Sequence, residues 1–288
     1  MILDAAAASS KPTALALCLV SSWTRKIAYP RLLEDVVLST ERQMHAFNEA
    51  LLHAQDSANS CAMVRRLWLP AQHGIELAVG RLTGLVDVAI DPLHLLYSTC
   101  GDHHVAGPPD AIPGRTSSGL RLTLLPSVHV ADVVLRLRAL PHTNPSVLAR
   151  TTHMSYALHT SDEEIAIVLH FAMDLLPHLP RLTHLAIALP TSPNAWHEWL
   201  EMVCGNVLAL HRAPLCTLVL VLYETTRAQY TDADFAALAG LRERWPGVCV
   251  VDVEGGPEDS ISAQAWLEGV RTGDSIWDRA PRCCATAS

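Results

Sequence analysis

No stretch of this chain approaches the ~18 consecutive apolar residues that a membrane-spanning helix needs, so no transmembrane segment is expected. Positive charge is scarce as well: 21 Lys and Arg stand against 29 Asp and Glu, giving a formal net charge of -8. That balance excludes a broad electrostatic grip on nucleic acid and disfavours an acidic membrane surface. The eight cysteines contain no C-x-x-C, and most sit inside apolar runs. They read as small buried hydrophobes in a reducing compartment, the cytoplasm or nucleus. The sequence also has no G-x-G-x-x-G, no Walker loop and no G-x-S-x-G elbow. His197-Glu198 lacks the second His of a metalloprotease helix, because position 201 is Glu. Cys100, His103 and His104 supply three potential metal ligands without a fourth, so no metal, cofactor or catalytic residue is expected.

What is present is apolar pattern. The densest signal is "LALCLVSSWTRKIAYPRLLEDVVL", from Leu15 to Leu38. A signal peptide fits it poorly: Asp4 interrupts a basic leader around Lys11, the apolar run Ala14 to Val20 is short, and no A-x-A-like site follows. Leu15, Leu19 and Trp23 instead recur at i, i+4 and i+8, predicting one helical stripe that Pro30 ends. "EDVVLST" then reads as extended, and Thr40 with Gln43 forms a T-x-x-Q capping box opening a helix to about His53.

These residues resemble the second half of an F-box, in which an "L-V-S-x-x-W" helix precedes an "A-x-P-x-L" turn and an extended "V-x-L". Here the matching residues are Leu19-Val20-Ser21 with Trp23, Ala28 with Pro30 and Leu32, and Val36-Val37-Leu38. The Leu-Pro-x-Glu opening is missing, as if the sequence began inside the first helix at Met1-Ile2-Leu3. The resemblance ends at Leu38, so it covers only a small part of the chain. It implies docking to a ubiquitin ligase adaptor subunit through Leu15, Leu19, Trp23 and Leu32. The alternative is a helical cap on a larger domain.

Beyond this segment a short apolar signature recurs. Its second apolar position falls at Leu67, Val88, Leu122, Met154, Leu185, Leu218 and Val251; the first gap is short, and those that follow are nearly equal. Gly119 takes the first slot of the third copy. Amphipathic helices lie between the copies, one opened by Ser161 and Glu164, one carrying Trp196 and Trp199, and one capped by Thr231 with Phe235, Leu238, Leu241 and Trp245 along it. A reused strand-turn-helix unit demands parallel strands.

Two architectures share that unit, and the residues alternating with the apolar set discriminate between them. Arg66 and Trp68, Asp87 and Ala89, Arg121 and Thr123, and His153 and Ser155 are too polar or small for a sheet covered on both sides. They predict an α/β solenoid with an open second face on the early strands. Ala186, Ala188, Val219 and Val221 predict cover on the later ones, by the segment around Trp266 and Trp277. The L-x-x-L-x-L core resembles a leucine-rich repeat, although Pro70, Pro92 and Pro190 replace the Asn or Cys that usually follows and the period is long. This long, irregular form is similar to the repeats that stand behind F-box segments in many fungal proteins.

The expected organisation is an incomplete F-box-like helical segment at 1–55, a leucine-rich-repeat-like domain at 56–278 and a disordered tail at 279–288, with a loop at 101–118. The expected function is target recognition for a cullin-RING ubiquitin ligase, with no chemistry of its own. The alternatives are a repeat-type binding protein without a ligase role and an α/β enzyme. Target contacts are expected at Arg66, Trp68, Asp87, Arg121 and His153, since Trp and Arg dominate many interfaces. Trp68 has a second reading, as packing beneath the N-terminal unit.

Overall fold

The computed structural model describes residues 2–53, 57–70, 79, 82–91, 119–125, 145–156, 175–189, 201, 217–256 and 262–285. The loop at 101–118, the histidines at 103 and 104, His197 and the helices expected around 165 and 199 lie outside these residues.

Eight parallel strands form one sheet, and their spatial order is their order in the chain. They are β1 (Asp35–Val37), β2 (Arg66–Leu69), β3 (Asp87–Ile90), β4 (Leu120–Leu124), β5 (Thr151–Tyr156), β6 (His184–Ala188), β7 (Thr217–Tyr223) and β8 (Val248–Val253). The order of these strands never reverses, so they form no switch point of the kind at which doubly wound sheets open a ligand crevice.

Strand pairing aligns Val36, Leu67, Val88, Leu122, Met154, Leu185, Leu218 and Val248 in one row across the sheet. The sequence signature predicts this row from Leu67 to Leu218 but puts its last member at Val251. Val251 instead pairs with Val221 and points to the other face. The run Val248-Cys249-Val250-Val251 is apolar at every position, so its sequence does not specify which residue faces which side. Gly119 precedes β4 where a Cβ would come within 2.2 Å of Thr152 Oγ1, so the missing side chain leaves room for the neighbouring strand.

The first face of the sheet carries the main core. Leu67, Val88, Leu122, Leu185 and Leu218 are fully buried there. The helix Glu41–His53 contributes Met44 to this core. The expected box opens that helix: the Gln43 backbone N–H donates to Thr40 Oγ1 at 3.2 Å, and Gln43 Oε1 accepts from the Thr40 N–H at 3.1 Å. A second box, Thr231 with Asp234, opens Asp232–Arg244, whose Leu238 and Leu241 are buried as expected.

The second face is covered along both early and late strands, against the expectation of an open early half. The helix Ala263–Thr272 lays Trp266 over Trp68, Ala89 and Leu125. Ile276–Ala285 lays Trp277 and Ala280 over Ala186, Val219, Val221, Cys249 and Val251. The tail expected to be disordered from residue 279 is therefore helical through Ala285. Charge on the early strands does not keep this face open, because the charged residues neutralise one another across the strands, as described below.

The sheet also crosses the expected boundary at residue 55, since β1 lies within the N-terminal segment yet pairs with β2. Cys18 and Cys61 are buried and outside any disulfide, in line with the reading of the cysteines. Cys249, fully buried on the second face, is disulfide-bonded, so a wholly reduced set is not found.

Candidate functional site

Two surfaces hold the residues singled out in the sequence. The first is the N-terminal helical unit, α1 (Ile2–Ser9), α2 (Lys11–Val20) and α3 (Ser22–Glu34). Leu15, Leu19 and Trp23 do not share one helix. Ser21 is extended and caps α3, accepting from the Thr24 N–H at 3.1 Å while its own N–H donates to Thr24 Oγ1 at 3.0 Å. Serine's short hydroxyl competes with the helical backbone, which is why the chain breaks there. Nor does Pro30 end the helix; α3 runs on to Glu34. Beyond the proline, Arg31 binds both carboxylate oxygens of Asp4, at 3.0 and 3.2 Å, and Glu34 at 2.9 Å, tying the last turn to α1.

Ala7, Ala14, Cys18 and Ala28 form the inner packing of this unit, with Leu17 and Leu32 against it. Leu32 is thus half-buried structure rather than open surface. Leu19 and Trp23 are 75% and 62% exposed, and Ile2, Leu15 and Val20 are exposed with them. Single exposed apolar residues are ordinary, but six large ones on a three-helix unit, counting Tyr29, are not. Val20 belongs to the matching motif, but neither it nor Ile2 is on the i, i+4 stripe of Leu15, Leu19 and Trp23.

The second surface is a cross-strand ladder on the second face: Asp35, Arg66, Asp87, Arg121, His153, His184 and Thr217 occupy adjacent positions on β1 to β7. Four of the five expected target-binding residues fall in it, and Trp68 lies in the next row. Signs alternate through the first four. Arg66 Nη1 donates to Asp35 Oδ1 at 2.7 Å, and Arg121 Nη2 donates to Asp87 Oδ2 at 2.8 Å. From the covering helix, Arg271 Nε donates to the other Asp35 oxygen at 2.8 Å, and Lys11 of α2 donates to the Asp35 carbonyl.

The two carboxylates titrate in opposite directions. Burial opposes ionisation of Asp35, but hydrogen bonds from Arg66 and Arg271 outweigh it and hold the carboxyl below its ordinary range. Asp87 is buried more deeply and has Arg121 as its hydrogen-bonding guanidinium, so burial prevails and its pKa is raised.

Further along, the His153 and His184 rings stack at 4.2 Å, with the edge of Trp277 5.2 Å from His153. Each Nδ1 meets a neighbouring threonine hydroxyl, Thr152 at 3.0 Å and Thr183 at 2.8 Å. Burial, then the His184 and Arg121 charges, depress His153 to about 4, and burial also lowers His184. The His153 ring is neutral at pH 7.

Trp68 is only 5% exposed, its ring 5.7 Å from that of Trp266. It packs beneath a covering element, as its second reading required, but that element comes from the C-terminal end of the chain. Beside it, between the sheet and the covering helices, a cleft of about 550 Å³ is lined by Trp68, Asp87, Ser155, Trp266 and Trp277, among others. Among the described residues no group of His, Cys, Asp and Glu is arranged to hold a metal ion, and no described helix is long and apolar enough to cross a membrane.

No family model, curated protein or solved structure matches the chain.

Proposed function

We propose that the chain is a protein-interaction module of the F-box type: a leucine-rich-repeat-like solenoid whose N-terminal helices dock a ubiquitin ligase adaptor and which holds a target at the cleft beside its covered sheet face. The observation that carries this reading is the exposed apolar set on α1 to α3, with Leu15, Leu19, Val20 and Trp23 turned away from the small-residue packing of Ala7, Ala14 and Ala28. Exposed leucine and tryptophan at that density fit a surface that a partner covers. The partner is taken to be the adaptor because the same residues carry the F-box resemblance. Sequential parallel strands, each joined to the next by a crossover of similar length except β2 to β3, support the solenoid. The crossover between Leu67 and Val88 is the shortest of them. A ligase subunit of this kind works in the cytoplasm or nucleus, and it carries no catalytic residue.

The test is capture of purified adaptor by the full chain. Leu19→Ala with Trp23→Ala abolishes capture and leaves the melting temperature within a few degrees of wild type, since both side chains are exposed. Absence of capture by the wild-type chain removes the ligase role and leaves an interaction module with another partner on these helices.

A further inference from the structure

The cleft beneath the covering helices combines two kinds of wall. Indole rings of Trp68, Trp266 and Trp277 line it together with carboxylates of Asp87, Glu254, Glu268 and Asp274, against one arginine, Arg279, among the described residues. Two of those acids are already matched. Asp87 is bound by Arg121, and Asp274 Oδ2 accepts from Arg279 at 2.6 Å. Glu254 and Glu268 are exposed and have no ion-pair partner among the described residues. Trp68 and Trp277 are 5% and 8% exposed, so the cleft offers chiefly the half-buried Trp266 ring and two uncommitted negative charges within one volume of about 550 Å³, a size usual for a small-ligand pocket.

An anion is excluded by the surplus of carboxylates. A neutral apolar group would use the indoles and leave the two glutamates unmatched. A cation with a flat, weakly hydrated head uses both: indole attracts it through the ring quadrupole, and carboxylates accept its N–H donors in a fork. We infer that the cleft receives a basic side chain, arginine in preference to lysine, from a target protein. This rests on the proposed target-holding role of the cleft and narrows it to a class of target segment. The net charge of -8 favours encounter with such a segment over long range.

Fluorescence anisotropy on the full chain with labelled Gly-Ser-Gly-X-Gly-Ser-Gly peptides tests the inference. With X as arginine the peptide binds, with lysine it binds more weakly, and with norleucine or glutamate it does not bind measurably. Adding NaCl to several times its starting concentration weakens the arginine peptide severalfold. Glu254→Gln with Glu268→Gln weakens it about fivefold while the melting temperature stays unchanged, because both residues are exposed and without an ion-pair partner among the described residues. Equal binding of arginine and norleucine peptides, or an arginine affinity indifferent to the double substitution, overturns the proposal, and so does absence of binding by the arginine peptide. None of these measurements uses the adaptor, so failure here leaves the docking of α2 and α3 standing, and failure of adaptor capture leaves the cleft standing.

Discussion

His153 and His184 lie face to face on neighbouring strands, their rings 4.2 Å apart and within 5° of parallel. Two imidazoles that close cannot both carry charge without strong repulsion, and the Arg121 guanidinium stands on the adjoining strand. Among the described residues, the opposing charge acting on His153 is that of Asp278.

A pH dependence of stability follows from this pair. The folded pKa of His153 is about 4 and its unfolded value is 6.5, so the unfolded chain takes up the proton first. The contribution of the neutral ring is complete above pH 6.5 and is lost as pH falls from there towards about 4. His184 is shifted in the same direction. Urea midpoints recorded from neutral pH down through this window fall for wild type and fall less steeply for His153→Gln. Equal slopes in the two proteins would contradict the assignment.

Both faces of the late strands are core. Leu218→Ala, on the first face, costs about 2 to 5 kcal/mol. Its neighbour Val219 is fully buried on the second face, so Val219→Ala costs about 2 kcal/mol by loss of two methyl-sized groups and the gap they leave. Chemical denaturation measures both. A negligible cost for Val219→Ala would mean that the second face is open to water.

Asp35 is the most heavily bonded side chain of the ladder, buried and held by Arg66 and Arg271. Asp35→Ala leaves Arg66 with Glu34 at 3.8 Å and the half-exposed Arg271 to water, and costs about 1 to 3 kcal/mol. Arg271 is half exposed, so Arg271→Ala costs only about 1 kcal/mol. A double-mutant cycle on the two gives a coupling energy clearly above zero, and additivity of the single substitutions would remove the bond between them.

The periodic part of the fold is legible in the sequence, because Leu67, Val88, Leu122, Met154, Leu185 and Leu218 repeat a spacing that only one buried row explains. Capping at Thr40 and Thr231 is equally readable, since the acceptor and donor sit close together in the chain. What cannot be read is charge matching across strands. Asp35 and Arg66 are 31 residues apart, Asp87 and Arg121 are 34 apart, and each alone looks like a solvated position. Only the register of the sheet makes them partners, and once paired they allow cover. His184 escapes for the same reason: its role depends on His153, far earlier in the chain and adjacent only across the strands. At the N-terminus the apolar residues Leu15, Leu19 and Trp23 are readable as a set, but the break at Ser21 is hidden by good helical spacing on either side.

The bond between Asp35 and Arg271 spans 236 residues. At synthesis rates of roughly 5 to 20 residues per second, the first strand waits about 10 to 50 s for that partner to leave the ribosome. Throughout that interval Trp68, Ala89 and Leu125 have no Trp266 above them, and the charged ladder faces water. The nascent chain therefore presents an unfinished apolar sheet that the last two described helices close. The covering helices must clear the ribosome before that surface is hidden from chaperones.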